Sequence, residues 1–430
     1  MTAELKRQIL PAANVRGSVR LPGDKSISHR YAMLGAIAEG NTRLDNFSSA
    51  ADCASTLSCV ENLGALVTRN RSKIEIEGRG GNLTAPTVAL DCGNSGSTMR
   101  MLAGVVAGYE FRSEMIGDES LSRRPMRRII DPLTQMGAAI KASDGDRPPL
   151  IIEGRKLGPI DYEMPVASAQ VKSCVLLAGL RASGRTTVRE KVATRDHTEL
   201  ALRAFGAHVE QKSGEVSIEG NQSLHAIDAY VPGDLSTATF FLCATAMFPD
   251  SSIIFDHVLL NPTRAGILDV LATMGLRVAF LKVEELHGET IGTVQVKSGK
   301  LSGAVISGAL SAALIDELPA LAALAPYTSD GIEIRDAREL RVKESDRIAA
   351  VSENLRRMGV SFDEREDGWK IPGQQRPHGA ELDSFGDHRV AMAFSIAALR
   401  AEGESQILNA DAVGVSFPDF FTTLESVIER

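Results

Sequence analysis

The chain has 430 residues, 43% hydrophobic and 24% charged, a soluble globular composition with length for two to three domains. Its 47 basic and 55 acidic residues leave a net charge of −8, which argues against non-specific binding to nucleic acid or an anionic membrane. The apolar runs at 175–180 and 319–325 stop well short of a membrane span, and residues 1–17 hold no apolar core or small-residue cleavage site, so a cytoplasmic protein is expected.

Read in chain order, one pattern keeps returning. The extended phrases KRQILPA and GSVRLPG lead to a segment of small and apolar residues at 25–38 that reads as a buried helix. LGALV follows at Gly64, then the strand KIEIEG (73–78), then a second small-residue helix near Asn94. Ile129, Ile130, Leu133 and Met136 mark an amphipathic helix that stops at Gly137 in MGAAI, and PLIIEG (149–154) follows. The next copy has a small-residue helix near Ser168, FGAHV at Gly206 and EVSIEG at 215–220. Another begins near Asp234 and carries Ile267, Val270, Leu271 and Met274 ahead of MGLRV at Gly275. Further small-residue helices start near Leu310 and Asp387, with MGVSF at Gly359 between them. The five glycines are spaced by 73, 69, 69 and 84 residues, and each suits a left-handed helix end before a strand.

A sixth copy reads as split between the chain ends. PDFFTTLESVIE (418–429) supplies its amphipathic helix, and the N-terminal strands with the helix at 25–38 supply the rest. The phrases LPGDKS (21–26) and VPGDLS (231–236) echo each other and divide six repeats into three plus three. They are read as crossings between a domain at 22–232 and a discontinuous one at 1–21 plus 233–430; two surface turns within one domain are the alternative.

The small-residue helices open on groups suited to anions: GDKSISHR (23–30), GNSGSTMR (93–100), ASAQVK (167–172) and GDHR (386–389). A helix start offers unpaired N–H groups and the positive end of its dipole. Lys25, Arg30, Arg100, Lys172 and Arg389 add full charge there. Three cationic loops precede amphipathic helices: SRRPMRR (122–128), TRDHT (194–198) and RVKESDR (341–347). Matching points of one repeat should bring these segments to one side of each domain, facing a cleft, where a ligand with two or three anionic groups fits. Each charge-assisted contact would contribute about 1.5–3 kcal/mol. Taken singly, Ser26 and Ser28 read as helix caps rather than nucleophiles, and His29 and His388 as structural histidines. Neither GxxxxGK[ST] nor G-x-G-x-x-G is present, so P-loop and Rossmann nucleotide folds are disfavoured. Cys53, Cys59, Cys92, Cys174 and Cys243 form no C-x-x-C, and the eight histidines no H-x-x-x-H, so neither disulfides, nor metal, nor any other cofactor is expected.

At these residues the chain resembles the 5-enolpyruvylshikimate-3-phosphate synthase family of enolpyruvyl transferases. LPGDKSISHR, GNSGSTMR, RRPM, SAQVKS, RDHT, RVKESDR, GDHRVAM and SFPDFF occur in the family's order over essentially the whole chain. The resemblance implies a two-domain inside-out α/β barrel of six βαβαββ-type units, three per domain, with the active site in the interdomain cleft. It implies transfer of the enolpyruvyl group of phosphoenolpyruvate to the 5-hydroxyl of 3-phosphoshikimate, with release of phosphate through a tetrahedral intermediate. It further implies inhibition by glyphosate, and a monomer is expected.

By the same resemblance, Lys25, Ser26, Arg30, Ser168, Gln170, Arg195, Asp316 and Lys343 bind 3-phosphoshikimate. Lys25, Gly96, Arg124, Gln170, Arg347 and Arg389 bind phosphoenolpyruvate, and Asp316, Glu344 and Lys25 are catalytic. The chemistry suits this division: an alcohol must lose a proton while the methylene carbon of phosphoenolpyruvate gains one, so a base and an acid act at opposite ends of the reacting pair. Asp316, near Lys25, is expected as base and Glu344 as acid, its pKa raised by enclosure. Two departures stand out: Val415 where some members carry lysine, and Ala169 where some carry a second serine. Two other readings remain open. One is the related transferase acting on UDP-N-acetylglucosamine, which commonly uses a loop cysteine that the segment 122–128 lacks; the other is a non-catalytic anion-binding repeat protein.

Overall fold

The computed structural model describes residues 6–430. The parts of the N-terminal reading and of the first expected domain that fall on residues 1–5 lie outside them. One complete repeat runs Leu90–Asp91, helix Gly96–Ala107, strand Arg112–Ile116, helix Arg127–Gln135, then strands Ala139–Ser143 and Arg147–Glu153. Its sheet is ordered Leu90–Asp91, Arg112–Ile116, Arg147–Glu153, Ala139–Ser143, with the first pair parallel and the other two antiparallel. Repeats that begin at Asp161–Glu163 and at Ala304–Ile306 have the same order.

The local causes are those the sequence offered. Gly64, Gly137, Gly206, Gly275 and Gly359 have φ between 72° and 109°, a left-handed conformation that ends each amphipathic helix with no Cβ penalty. The small-residue helices are the interior: all thirteen residues of Leu235–Met247 are buried, as are ten of twelve in Gly96–Ala107. Small side chains let these helices touch. At Gly104 a Cβ would stand 2.1 Å from the Cys174 carbonyl oxygen, so the helices Gly96–Ala107 and Ala169–Gly179 meet backbone to backbone. Leu, Phe and Met around them supply the apolar burial, about 1.5–3 kcal/mol for each fully enclosed side chain.

The chain divides into two compact units. The first comprises 1–22, 232–284 and 290–430; the second comprises 23–231 and 285–289. The crossings at 22/23 and 231/232 fall at or beside a Pro-Gly pair, and the residue after each glycine caps an inner helix: Asp24 accepts from the Ile27 amide at 2.9 Å, Asp234 from the Ser236 amide at 2.8 Å. The turn 285–289 groups with the second unit, where Glu289 meets His197 Nδ1 at 2.6 Å. Each unit also closes its set of three sheets with a strand from the other end of its own chain. Asp228–Tyr230 pairs in parallel with Asn41–Asp45, and Asn14–Val19 with Ser252–Leu259.

Three details differ from the sequence reading. The helix expected near Leu310 is two pieces, Ala309–Ala313 and Leu318–Leu324, because Pro319 is tolerated only in the first turn of a helix. The segment 418–429 is helical only at Phe420–Glu425; Ile428–Glu429 instead adds a strand to Asn14–Val19. The sixth copy has its own inner helix, His388–Ala398, and among the described residues its sheet takes Arg7–Ile9 from the N-terminal segment. The helix Lys25–Ile37 belongs to the second unit. SFPDFF, quoted above as a motif, does packing work: Phe417 and Phe420 meet edge to face with centroids 6.2 Å apart, and Phe420 lies 5.8 Å from Phe241.

Candidate active site

Each unit gathers one group of the residues singled out from the sequence. In the second unit, the starts of three inner helices do so. Lys25 is the first residue of Lys25–Ile37, and its Nζ lies 2.8 Å from Asp52 Oδ2. Arg30, 4% exposed, donates to Thr198 Oγ1 at 2.6 Å, the Ser26 carbonyl at 2.8 Å and Ser173 Oγ at 2.7 Å. All three acceptors are neutral. Burial pushes its pKa down to about 10 against the opposing pull of Glu199 and Asp24.

Gly96 opens the next inner helix, capped by Ser95, which accepts from the Thr98 amide at 3.0 Å. A Cβ on Gly96 would sit 2.9 Å from Arg100 Nη1 and 3.4 Å from Arg124 Nη1, so the glycine keeps space beside two guanidinium groups. Arg100 Nη1 donates to Gln170 Oε1 at 2.7 Å, and Gln170 Nε2 to Ser97 Oγ at 2.9 Å, which fixes both ends of the amide. Arg124 is buried and donates to Asn94 Oδ1 and Ser120 Oγ, both at 3.1 Å. Ser168 caps the third inner helix, accepting from the Val171 amide at 3.4 Å, and Ala169 is its first residue. Arg195 is half-buried in the loop ahead of His197–Ala204.

The first unit holds the carboxylates. Asp316 lies in the break between Ala309–Ala313 and Leu318–Leu324. Arg347, 1% exposed, donates from Nε to Asp387 Oδ2 at 2.8 Å and from Nη2 to Glu344 Oε2 at 2.6 Å; its Nη1 stands 3.5 Å from Asp316 Oδ1. Burial disfavours its charge, but Asp387, Glu344 and Asp316 outweigh burial and hold its pKa above the ordinary value. Arg389 donates to the Asp316 carbonyl at 2.8 Å and lies 3.8 Å from its carboxylate. Burial lowers the Lys343 pKa against the opposing pull of Asp316. Arg341 clamps this loop through Asp346 at 3.0 Å and the carbonyls of Arg365 and Glu366 at 2.9 and 2.8 Å. Val415 is half-buried at the end of a 3-10 helix, Ala410–Val415.

Asp316, Glu344, Arg347 and Arg389 thus form one cluster, with Lys343 coupled to it electrostatically. Lys25, expected near Asp316, belongs to the other unit and is paired with Asp52. Asp52 and Asp387 were not singled out from the sequence. Asp387 had a signal in GDHR, since it caps His388–Ala398 and accepts from the Arg389 amide at 2.9 Å. Asp52 had none, being tied to Lys25 only by the fold. Among the described residues no group of three or more His, Cys, Asp or Glu is placed to hold a metal ion, and no helix is long and apolar enough to cross a membrane.

Two three-repeat α/β units, one rich in anion-seeking cations and one with a carboxylate–arginine cluster, describe a protein that handles small, multiply charged metabolites. The comparisons place it further. The family model described as EPSP synthase (3-phosphoshikimate 1-carboxyvinyltransferase) matches residues 9–424. The chain is 59% identical to a 3-phosphoshikimate 1-carboxyvinyltransferase of Koribacter versatilis, over 98% of this chain and 99% of that protein. It is 53% identical to the one of Solibacter usitatus, over 99% and 100%. A solved structure of EPSP synthase from Acinetobacter baumannii superposes with a TM-score of 0.88 at 38% identity, covering 99% of this chain and 98% of that one. The chain belongs to the EPSP synthase family. It is an enolpyruvyl transferase with the two-domain inside-out α/β fold, and it moves the enolpyruvyl group from phosphoenolpyruvate to 3-phosphoshikimate in the shikimate pathway.

Proposed function

We propose that residues of both groups contribute to one active site. Lys25, Ser26, Arg30, Ser168, Gln170 and Arg195 hold 3-phosphoshikimate, with Asp316 and Lys343 on its ring hydroxyls. Lys25, Gly96, Arg124, Gln170, Arg347 and Arg389 form the phosphoenolpyruvate site. Asp316 takes the proton of the 5-hydroxyl as its oxygen attacks the central carbon of phosphoenolpyruvate, and Glu344 gives a proton to the methylene carbon. A tetrahedral adduct forms. The Glu344 carboxylate then takes one proton back from the new methyl group, the carbon–carbon double bond returns and phosphate departs, its charge met by Lys25, Arg124, Arg347 and Arg389.

The observation that carries this reading is Arg347, a single buried guanidinium with Asp316 and Glu344 on separate nitrogens. It holds the two carboxylates apart yet within the span of one small substrate. The Arg30 site, charged and lined by neutral acceptors, supports the phosphate end. Gly96 supports competition between glyphosate and phosphoenolpyruvate, because it leaves room beside Arg100 and Arg124. We propose a monomeric, cytoplasmic enzyme, and among the described residues no helix is long and apolar enough to cross a membrane. Incubation with 3-phosphoshikimate and phosphoenolpyruvate should release phosphate and yield the 5-enolpyruvyl ether, with neither substrate sufficient alone. Release with UDP-N-acetylglucosamine in place of 3-phosphoshikimate would favour the related transferase, and phosphate-ligand binding without turnover an anion-binding repeat protein.

A further inference from the structure

Lys172 is among the largest fully buried side chains, and it lies one turn inside the helix capped by Ser168. Its Nζ meets Glu190 Oε2 at 2.9 Å and Glu199 Oε1 at 2.7 Å, and reaches the Thr194 carbonyl at 3.4 Å. Both carboxylates are buried, 6% and 0% exposed at the side chain. They stand at the two ends of one segment: Glu190 follows the strand Arg185–Arg189, and Glu199 is in the first turn of His197–Ala204. Arg195 lies between them.

Glu190 does more than pair with the amine. Its Oε1 accepts from the Thr194 amide at 3.2 Å and from the Thr194 hydroxyl, closing residues 190–194 into a ring that ends just before Arg195. The far side of the segment is tied to the same helix, since Thr198 Oγ1 lies 2.5 Å from Ser173 Oγ and both accept from Arg30. Ser168, Arg30 and Arg195, quoted above from three separate motifs, therefore rest on one buried support.

We propose that Lys172 and Glu190 are positioning residues that set Arg195 for the phosphate of 3-phosphoshikimate, acting through Thr194 and touching no substrate. This rests on the reading of Arg195 as a phosphate ligand. The segment 190–196 lies outside regular secondary structure, with residues 191–193 exposed, so no helix or strand ladder sets its course. A flexible arginine would spend part of its binding free energy on being ordered; a braced one would not.

The test is steady-state kinetics on the whole chain with both substrates. Glu190→Gln leaves Lys172 its second carboxylate, so the buried amine keeps a countercharge. Thr194→Val keeps the ion pairs and removes only the hydroxyl at the half-buried loop end. Arg195→Ala should raise KM for 3-phosphoshikimate about 10- to 100-fold, the effect of one charge-assisted contact. Glu190→Gln should raise it about 10-fold and Thr194→Val about 3-fold, with kcat and the KM for phosphoenolpyruvate within about 2-fold of the parent. Glu190→Gln added to Arg195→Ala should change nothing further, because the brace acts only through that arginine. An unchanged KM in both Glu190→Gln and Thr194→Val, an equal rise for both substrates, or additivity in the double variant would overturn the brace. A silent Arg195→Ala would overturn the ligand reading as well, which separates the two failures.

Discussion

Two buried arginines, one in each unit, are handled in opposite ways. Arg347 is surrounded by carboxylates: Asp387 at 2.8 Å, Glu344 at 2.6 Å and Asp316 at 3.5 Å. Arg30 has only two hydroxyls and a carbonyl, and among the described residues it makes no ion pair. The same side chain thus sits among carboxylates in the first unit and among neutral hydrogen-bond acceptors in the second. The chemistry follows that division. In the proposed mechanism the carboxylates that move protons are held by charge already present, while the cation assigned to a phosphate has neutral hydrogen-bond partners.

The carboxylate side should fail first and hardest when broken. Asp316→Ala and Glu344→Ala should each lower kcat by about 10²- to 10⁴-fold, the usual contribution of a positioned acid or base, with the melting temperature little changed. Parent-like turnover in either variant would remove that residue from the mechanism. The arginines themselves supply the sharper contrast. Arg347→Met leaves Asp387 buried without its cation, and unfolding should become easier by about 3–5 kcal/mol. Arg30→Met leaves Thr198 and Ser173 hydrogen-bonded to each other at 2.5 Å, so stability should fall by less than about 1 kcal/mol. Its KM for 3-phosphoshikimate should nevertheless rise about 10- to 100-fold. Urea titration beside substrate kinetics would show whether the two losses separate. Equal destabilisation by both variants would erase the distinction drawn here.

The second-unit half also has a steric margin that can be probed. Gly96→Ala places a methyl group 2.9 Å from Arg100 Nη1, the atom that orients Gln170. The guanidinium is the end of a flexible side chain and can shift, so the fold should survive with a loss below about 1 kcal/mol. The site should suffer more than the fold. KM for phosphoenolpyruvate should rise by roughly 3-fold, and the glyphosate concentration for half-inhibition by roughly 10-fold or more, as expected for about 1–1.5 kcal/mol of crowding. Unchanged glyphosate inhibition in the variant would remove Gly96 from the phosphoenolpyruvate site.

How much of this was legible beforehand depends on the range of the interaction. A glycine ending a helix, an Asp-Lys-Ser or Asp-His-Arg helix start and a strand such as PLIIEG are set within a few residues, so the repeats could be read from the chain. The break at 314–317 was also local, since Pro319 announces it, but the run of small residues on both sides hid the signal. The strand Ile428–Glu429 was out of reach because its partner lies more than 400 residues earlier. The same holds for the ion pairs. Lys25 with Asp52 and Lys172 with Glu190 join an inner helix to a later element of its own repeat, a pairing set by how the two elements pack rather than by local sequence. Cations at helix starts were visible; the carboxylates that hold them were not.

The smallest effect expected tests the cations around the start of the helix Lys25–Ile37 from inside. His29 is fully buried, its Nδ1 2.7 Å from Thr56 Oγ1 and its Nε2 without a hydrogen-bond partner. Burial above all, with Lys25 and Arg30 adding to it, holds its pKa well below the ordinary 6.5. The folded protein therefore keeps this ring neutral, whereas the unfolded chain protonates it as pH falls through about 6.5. Below that pH the unfolded state binds one more proton, so stability decreases as pH falls, by up to about 1.4 kcal/mol per pH unit until the folded pKa is reached. Above about pH 7 the group adds no slope. His29→Asn should be less stable than the parent at pH 8 through lost packing. Because asparagine does not titrate, the gap should narrow on going to pH 5.5 when unfolding is followed in urea. Parallel curves for parent and variant would mean that this histidine takes its proton inside the fold, and that the cations around it are better screened than their burial implies.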